Sequence, residues 1–346
     1  MNKLIAFIVG MLMVSVFATP TLADSVSVNF ESPTYSLGTI NGQDGWMSLG
    51  SAGAGCALYD QAVAPQSLFP SFGGQSFRIS DAVTSGCFGD QTFAKPLVNA
   101  VGETTATAGT FTVGTRQSHF ETQFDVASAN PSAQQPGLHI SVSPDRGDGS
   151  RMSYLRFEDG VNGIDVYFDD VQGTSNPANF VETQVGSGLD RTKTHHVKLT
   201  MDTIDGPSND VVKVYLDGVL VHTGTSWENY YRFDSEASAE PSPRIVKTVI
   251  FRSAGGANPG NLGKGFYFDN FSTVSGPVLV GPPTDKNQCK NNGWKTFNNP
   301  PFRNQGQCVE YVEHHSKNDE DKNHENNDDK HKDEKEKGRE RNHPED

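Results

Sequence analysis

The segment Asn209–Gly224 constrains this chain more than any other. It reads Asn-Asp-Val-Val-Lys-Val-Tyr-Leu-Asp-Gly-Val-Leu-Val-His-Thr-Gly, and apolar and polar residues alternate on both sides of Asp217-Gly218. An Asp-Gly pair between two alternating runs is a strong short-range signal for a β-hairpin. A chain built around such a hairpin, with little helical periodicity elsewhere, is expected to be all-β.

The same period of two recurs along the chain. Phe120, Thr122, Phe124 and Val126 alternate with Glu121, Gln123 and Asp125, and Val197, Leu199 and Met201 alternate with Lys198 and Thr200. One face is then packed and the other solvated, as antiparallel sheets allow. Further strands are expected at 27–30, 77–80, 138–142, 152–157, 164–168, 246–252 and 265–274. Clusters such as Pro144–Gly149, Asp159–Gly163 and Gly255–Gly260 supply the turns between them. Many short strands at close spacing indicate a sandwich or barrel. No period of 20–50 residues repeats, which argues against propellers and solenoids.

The ends divide from this core. Residues 1–23 read as a secretory signal, with Lys3 ahead of an apolar run and Pro20-Thr-Leu-Ala23 before the cleavage point. The run is too short to span a bilayer, which takes about 20 apolar residues. A sandwich over 24–275 is expected to follow, then a Pro/Gly linker over 276–283 and a small Cys-containing module over 284–315. Residues 316–346 hold eight Lys or Arg and twelve Asp or Glu and nothing apolar to bury, so a disordered tail is expected. The formal net charge of −14 disfavours nucleic acid and anionic membrane surfaces as partners. In an exported chain four cysteines favour disulfides. Cys56 with Cys87, and Cys289 with Cys308, keeps each bridge within its own region, and a zinc site is the alternative.

The hairpin, the closing strand Phe266-Tyr-Phe-Asp-Asn-Phe271, and the opening Phe30-Glu31 with Gly42-Gln-Asp-Gly-Trp46 together resemble the concanavalin A-like lectin/glucanase superfamily, near its laminin-G-type members. The resemblance spans about residues 26–275 and implies an antiparallel jelly-roll β-sandwich whose first and last strands pair, placing Phe30 near Phe268. It also implies a structural calcium ion near Asp269 and Asn270. The Asp145 and Asp148 turn is a second candidate for such an ion. Residues 289–312 resemble a short module that recurs on secreted bacterial proteins.

The superfamily's hydrolases carry a Glu-x-Asp-x-Glu strand, which this sequence lacks. Asp165 and Asp169 lie four apart on one strand face, but the simpler reading leaves Asp165 solvated and has Asp169-Asp170 open a turn. Sugar recognition calls for aromatic rings beside hydroxyl-orienting polar groups. Tyr154, Asp165, Tyr167, Trp227, Tyr230 and Tyr231 are the candidates, with Asp165 and Tyr167 sharing a face and Ser226–Arg232 forming a loop after the hairpin. The alternative for Trp227 and one tyrosine is a structural lid, and Trp46 is assigned to the core. Three functions follow as expectations. The first is a secreted or cell-surface β-sandwich that binds a carbohydrate or other envelope component without catalysis. The others are a polysaccharide-cleaving enzyme with an unrecognised site and a structural surface module that binds protein partners.

Overall fold

The alternating segments form strands in a computed structural model that describes residues 24–49, 59–84, 90–97, 118–147, 149–204, 206–237, 246–253, 256–276 and 280–315. The signal segment 1–23, Cys56 and Cys87 with their expected bridge, Asp148, and the tail 316–346 lie outside the described residues. In chain order the strands are β1 (Asp24–Val28), β2 (Met47–Leu49), β3 (Gln61–Pro65), β4 (Gln75–Ile79), β5 (Gln91–Phe93), β6 (His119–Ser128), β7 (His139–Asp145) and β8 (Tyr154–Gly160). Then come β9 (Gly163–Val171), β10 (Phe180–Leu189), β11 (His195–Asp202), β12 (Val211–Leu216), β13 (Val219–Gly224), β14 (Thr248–Ser253) and β15 (Phe266–Gly276).

Among the described residues the first sheet has the order β13-β12-β11-β6-β15-β4-β3, with β1 also on β15, and the second has the order β10-β9-β8-β7-β14-β5-β2. Every pairing is antiparallel. Strands distant in sequence lie side by side, as β6 does between β11 and β15. The chain folds as an all-β antiparallel jelly-roll sandwich.

The core lies between the sheets and is rich in aromatic rings. Phe251 of the second sheet meets Phe268 and Phe77 of the first at centroid distances of 5.0 and 5.3 Å. Phe157 meets Phe124 and Phe268, each at 6.0 Å. These edge-on contacts suit the ring quadrupoles, and burying each such side chain contributes about 1.5–3 kcal/mol. Trp46 packs on Phe30, Phe77, Phe251 and Phe271 and donates its indole N–H to the Tyr35 hydroxyl at 3.1 Å, which makes it a core residue.

The hairpin has the expected two-residue turn. Asp217 and Gly218 both take positive φ (49° and 81°), the pairing of a type I′ turn that matches the strand twist. The first and last strands pair, with Val28 opposite Phe271 and Asp24 opposite Ser275. Phe77 bridges Phe30 (5.9 Å) and Phe268 (6.4 Å). Along one edge β15 faces β6. Along the other it pairs with β4 through Phe266–Phe268 and with β1 through Phe271–Ser275. The change of partner falls at an irregularity between Asp269 and Ser272, where Asn270 takes φ 48° and donates its side-chain amide to Asp125 Oδ2 at 2.8 Å. A bulge of this kind bends a strand and breaks its register.

Two local expectations are corrected. The segment after the hairpin is not a loop throughout, because α1 (Glu228–Phe233) forms there. Glu228, fully buried, accepts from the Arg232 guanidinium at 3.0 Å one turn later, which holds that turn closed. Val246 and Lys247 precede β14 and do not form part of it.

Residues 280–315 belong to a separate compact unit. The Cys289–Cys308 disulfide is present there, and both sulfurs are buried beside Val312 under Trp294, Phe297, Phe302 and Val309. A helix over 305–315, α2, carries Cys308 and Val312 on one face four residues apart. A Lys286–Glu313 ion pair at 2.7 Å lies on its surface.

Candidate functional site

Strand alternation in the second sheet sends Ile140, Val142, Leu155, Phe157, Val166 and Phe168 into the core. Their neighbours therefore point to the outer face of that sheet. The register aligns those neighbours across strands. Gln184 stands opposite Tyr167, Tyr167 opposite Arg156, Arg156 opposite Ser141, Ser141 opposite Arg252, and Arg252 opposite Gln91. This row crosses six strands and is about 24 Å long at ~4.8 Å per strand. A parallel row on one side holds Glu182, Asp169 and Tyr154, and one on the other holds Asp165, Glu158 and His139.

Arg156 organises the face. One terminal nitrogen donates to Glu158 Oε2 at 2.6 Å, while the other and Nε grip the Glu182 carboxylate at 2.6 and 2.9 Å. Its guanidinium lies 4.2 Å from the centroid of the Tyr167 ring. The arginine's grip holds the Glu182 carboxyl below its usual range, against a smaller opposing effect of burial. Tyr154 reaches two strands over to donate its hydroxyl to Glu182 Oε2 at 3.2 Å.

Asp169 sits between these groups, 4% exposed. Its Oδ1 accepts from the Trp227 indole N–H at 2.9 Å. Burial, reinforced by the charges of Glu182 and Asp170, pushes the carboxyl up to about 7. Trp227 is buried in turn. It meets Phe180 at 4.9 Å, Tyr154 at 5.8 Å and Tyr230 at 6.3 Å, and the Arg151 guanidinium lies 5.3 Å from its ring. Phe180 is 44% exposed and extends this aromatic cluster to the surface.

The structure thus gathers Tyr154, Asp165 and Tyr167 on one face with Trp227 and Tyr230 at its end. Asp165 is half-buried and accepts the Gly188 N–H at 2.8 Å, so it is tied to β10 and not simply solvated. Tyr231 is buried with its hydroxyl donated to the Arg151 carbonyl at 2.8 Å, and it supports the face from within. Asp169-Asp170 does not open a turn, because β9 continues to Val171 and both acids are buried. Sequence reading missed Arg156 and Glu182. The alternation Tyr154-Leu-Arg-Phe-Glu158 carried a signal for the first. Glu182 lies on β10, whose Thr183, Gly186 and Gly188 hide the strand pattern.

A calcium ion takes six to eight oxygen donors; of the residues suggested for it, Asp148 lies outside the described residues, and Asp145, Asp269 and Asn270 make bonds within the fold. Asp269 accepts the Ser76 hydroxyl on Oδ2 (2.6 Å) and the Asn270 amide on Oδ1 (2.7 Å), and burial pushes its carboxyl up to about 7. Asn270 presents donors to Asp125. Asp145 accepts the backbone N–H groups of Gly147 (2.5 Å) and Gly149 (3.2 Å). Among the described residues no group of three or more His, Cys, Asp or Glu is placed to hold a metal ion.

No protein-family model and no curated protein matches this chain. Solved structures similar to it include the alginate lyase Aly36B (13% identity, TM-score 0.42), which covers 77% of this chain and 100% of its own. An endo-1,3-beta-glucanase from Streptomyces sioyaensis is 13% identical with TM-score 0.38, covering 76% of this chain and 100% of its own. An endo-beta-1,4-glucuronan lyase from Trichoderma reesei is 12% identical with TM-score 0.33, covering 75% and 96%. These are distant likenesses, and the site stands on its own geometry.

Proposed function

We propose that this is an exported, concanavalin A-like sandwich that binds a linear glycan along the outer face of its second sheet without cleaving it. The observation that carries this reading is the in-register row Gln91, Arg252, Ser141, Arg156, Tyr167 and Gln184. Gln91 and Ser141 are buried in this row, and its open part offers the Tyr167 ring, the Arg156 and Arg252 guanidiniums and the Gln184 amide side by side. Such a row suits a chain of hydroxyl-bearing rings several units long. The facing carboxyls of Asp169 and Glu182 are the feature that favours cleavage, since paired carboxyls about 5–5.5 Å apart serve retaining glycosidases. Asp169, however, is buried in the strand between Tyr154 and Glu182, which bond to each other, and is held by Trp227, so a glycosidic oxygen has no open approach to it.

The test is retention of the whole chain on immobilised neutral β-glucans and uronic-acid polymers. Retention by wild type is expected, with about a tenfold loss in Tyr167→Ala and a several-fold loss in Arg156→Lys, whose single ammonium cannot hold two glutamates in a fixed plane. Failure of every polymer to bind, or release of reducing ends from a bound one, would overturn the reading.

A further inference from the structure

Asp169 is a buried acid with no cation in contact among the described residues. Its hydrogen-bond partner is the indole N–H of Trp227, and the residue opposite it on β10 is another acid, Glu182, to which the Tyr154 hydroxyl donates. The nearest guanidinium on β8, Arg156, is committed to Glu158 and Glu182. Asp170, next on β9, accepts the Thr225 N–H at 3.0 Å and the Gln172 side-chain amide at 3.2 Å. Arg151 faces the ring of Trp227.

Counting hydrogens shows what this arrangement does. With Asp169 protonated, a neutral group faces Glu182, Trp227 donates to Asp169 and Tyr154 donates to Glu182, so each donor has its own acceptor. With Asp169 ionised, a second carboxylate faces Glu182 across the β9–β10 pairing. Two like charges then stand on adjacent strands in a region of low dielectric. Glu182 is the exposed member of the pair, and Arg156 is bonded to it and stacked on Tyr167.

We propose that Asp169 is a proton-operated positioning residue for the glycan face: protonated, it locks Tyr154, Glu182 and Arg156 in register, and ionised, it releases them. This rests on the glycan-binding reading and adds its regulation, with tighter binding in mildly acidic surroundings. The upward displacement of its carboxyl toward neutrality places the transition within an ordinary pH range.

The experiment follows the indole N–H resonance of Trp227 in the ligand-free chain from about pH 5 to about pH 9, a window spanning the expected transition. The chain has three tryptophans, so assignment is direct. The resonance is expected to shift with a midpoint near neutrality. It should stay fixed in Asp169→Asn, which is isosteric with the protonated acid, and the midpoint should move toward lower pH in Glu182→Gln. Retention on the best-binding polymer is expected to fall several-fold from about pH 5.5 to about pH 8.5 in wild type and to stay level in Asp169→Asn. An indole that does not titrate, or binding equally strong at both pH values, would overturn this inference. A titrating indole with no retention on any polymer at either pH would overturn the glycan reading, and the binding role of Asp169 with it, while leaving its proton coupling to Trp227 intact.

Discussion

His195 donates from Nδ1 to Asp217 Oδ2 at 2.9 Å, tying the turn of the β12–β13 hairpin to the neighbouring strand β11. The other carboxylate oxygen accepts the backbone N–H of His196 at 2.8 Å, and the Asp217 amide donates to the His196 carbonyl at 2.8 Å. One residue therefore supplies the positive φ of the turn and three bonds to the sheet. Replacing Asp217 by Ala should cost about 1–2 kcal/mol in urea unfolding, through lost bonds and the strain of φ > 0. Asp217→Asn, which tolerates that φ and keeps one acceptor, should cost about half as much. Burial raises the Asp217 carboxyl, but the bonds from His195 and His196 outweigh it and hold the group below its ordinary value. Their contribution is therefore present at neutral pH and lost as pH falls through the carboxylate range. Equal stability of wild type and Asp217→Ala would refute the role.

Asp269 should make the sandwich less stable as pH rises. Its folded-state carboxyl is pushed up to about 7 by burial, with Glu31 and Asp125 adding to the effect against the bonds from Ser76 and Asn270. A group that binds its proton more tightly when folded favours folding while protonated. That advantage is full below about pH 4 and disappears as pH rises through about 7. The urea midpoint is expected to fall between about pH 5 and about pH 8, by an amount equivalent to ~2–3 kcal/mol in this group, and Asp269→Asn should lessen that slope, leaving the part that Asp169 contributes. A midpoint that rises with pH, or a slope that Asp269→Asn leaves unchanged, would exclude this account.

The Cys289–Cys308 bridge should decide whether its unit folds. Among the described residues the buried apolar side chains there are the two half-cystines and Val312, with Trp294 and Phe302 only partly covered. So small a core cannot offset chain entropy alone, and a bridge with a sequence separation of 19 contributes roughly 3 kcal/mol. Paired Cys289→Ser and Cys308→Ser changes are expected to disperse the Trp294 indole and α2 amide resonances into the random-coil range while those of the sandwich stay in place. Retention of native Trp294 and α2 shifts without the bridge would show that the unit holds itself together by packing.

Much of the fold was legible because its strands alternate. β6, β11 and β12 each turn every second side chain into the core, and Asp217-Gly218 after β12 leaves little choice of turn. β10 was hidden because it lies at a sheet edge, where Glu182, Gln184 and the glycines at 186 and 188 need no apolar pattern. β2 and β5, three residues each, are too short to show a period. The site was half visible. Parity put Asp165 and Tyr167 on one strand face, but parity alone does not reveal which strands adjoin. Arg156 could not be joined to Glu182, or Asp169 to Trp227, until the order β10-β9-β8 brought residues 26 and 58 positions apart into contact. The short helix α1 escaped notice because its stability comes from the buried Glu228 and its bond to Arg232, not from an apolar stripe.

The position of β15 governs how this molecule can assemble in time. The last strand of the sandwich to leave a ribosome is the one that β1, β4 and β6 must each embrace, so the first sheet has no centre until about residue 276 has been made. Partners separated by some 240 residues must search for one another, which makes the reaction slow and leaves β1, β4 and β6 with bare backbone edges while they wait. A chain truncated before Phe266 should therefore be a substrate for chaperones and proteases and not a smaller version of the same protein.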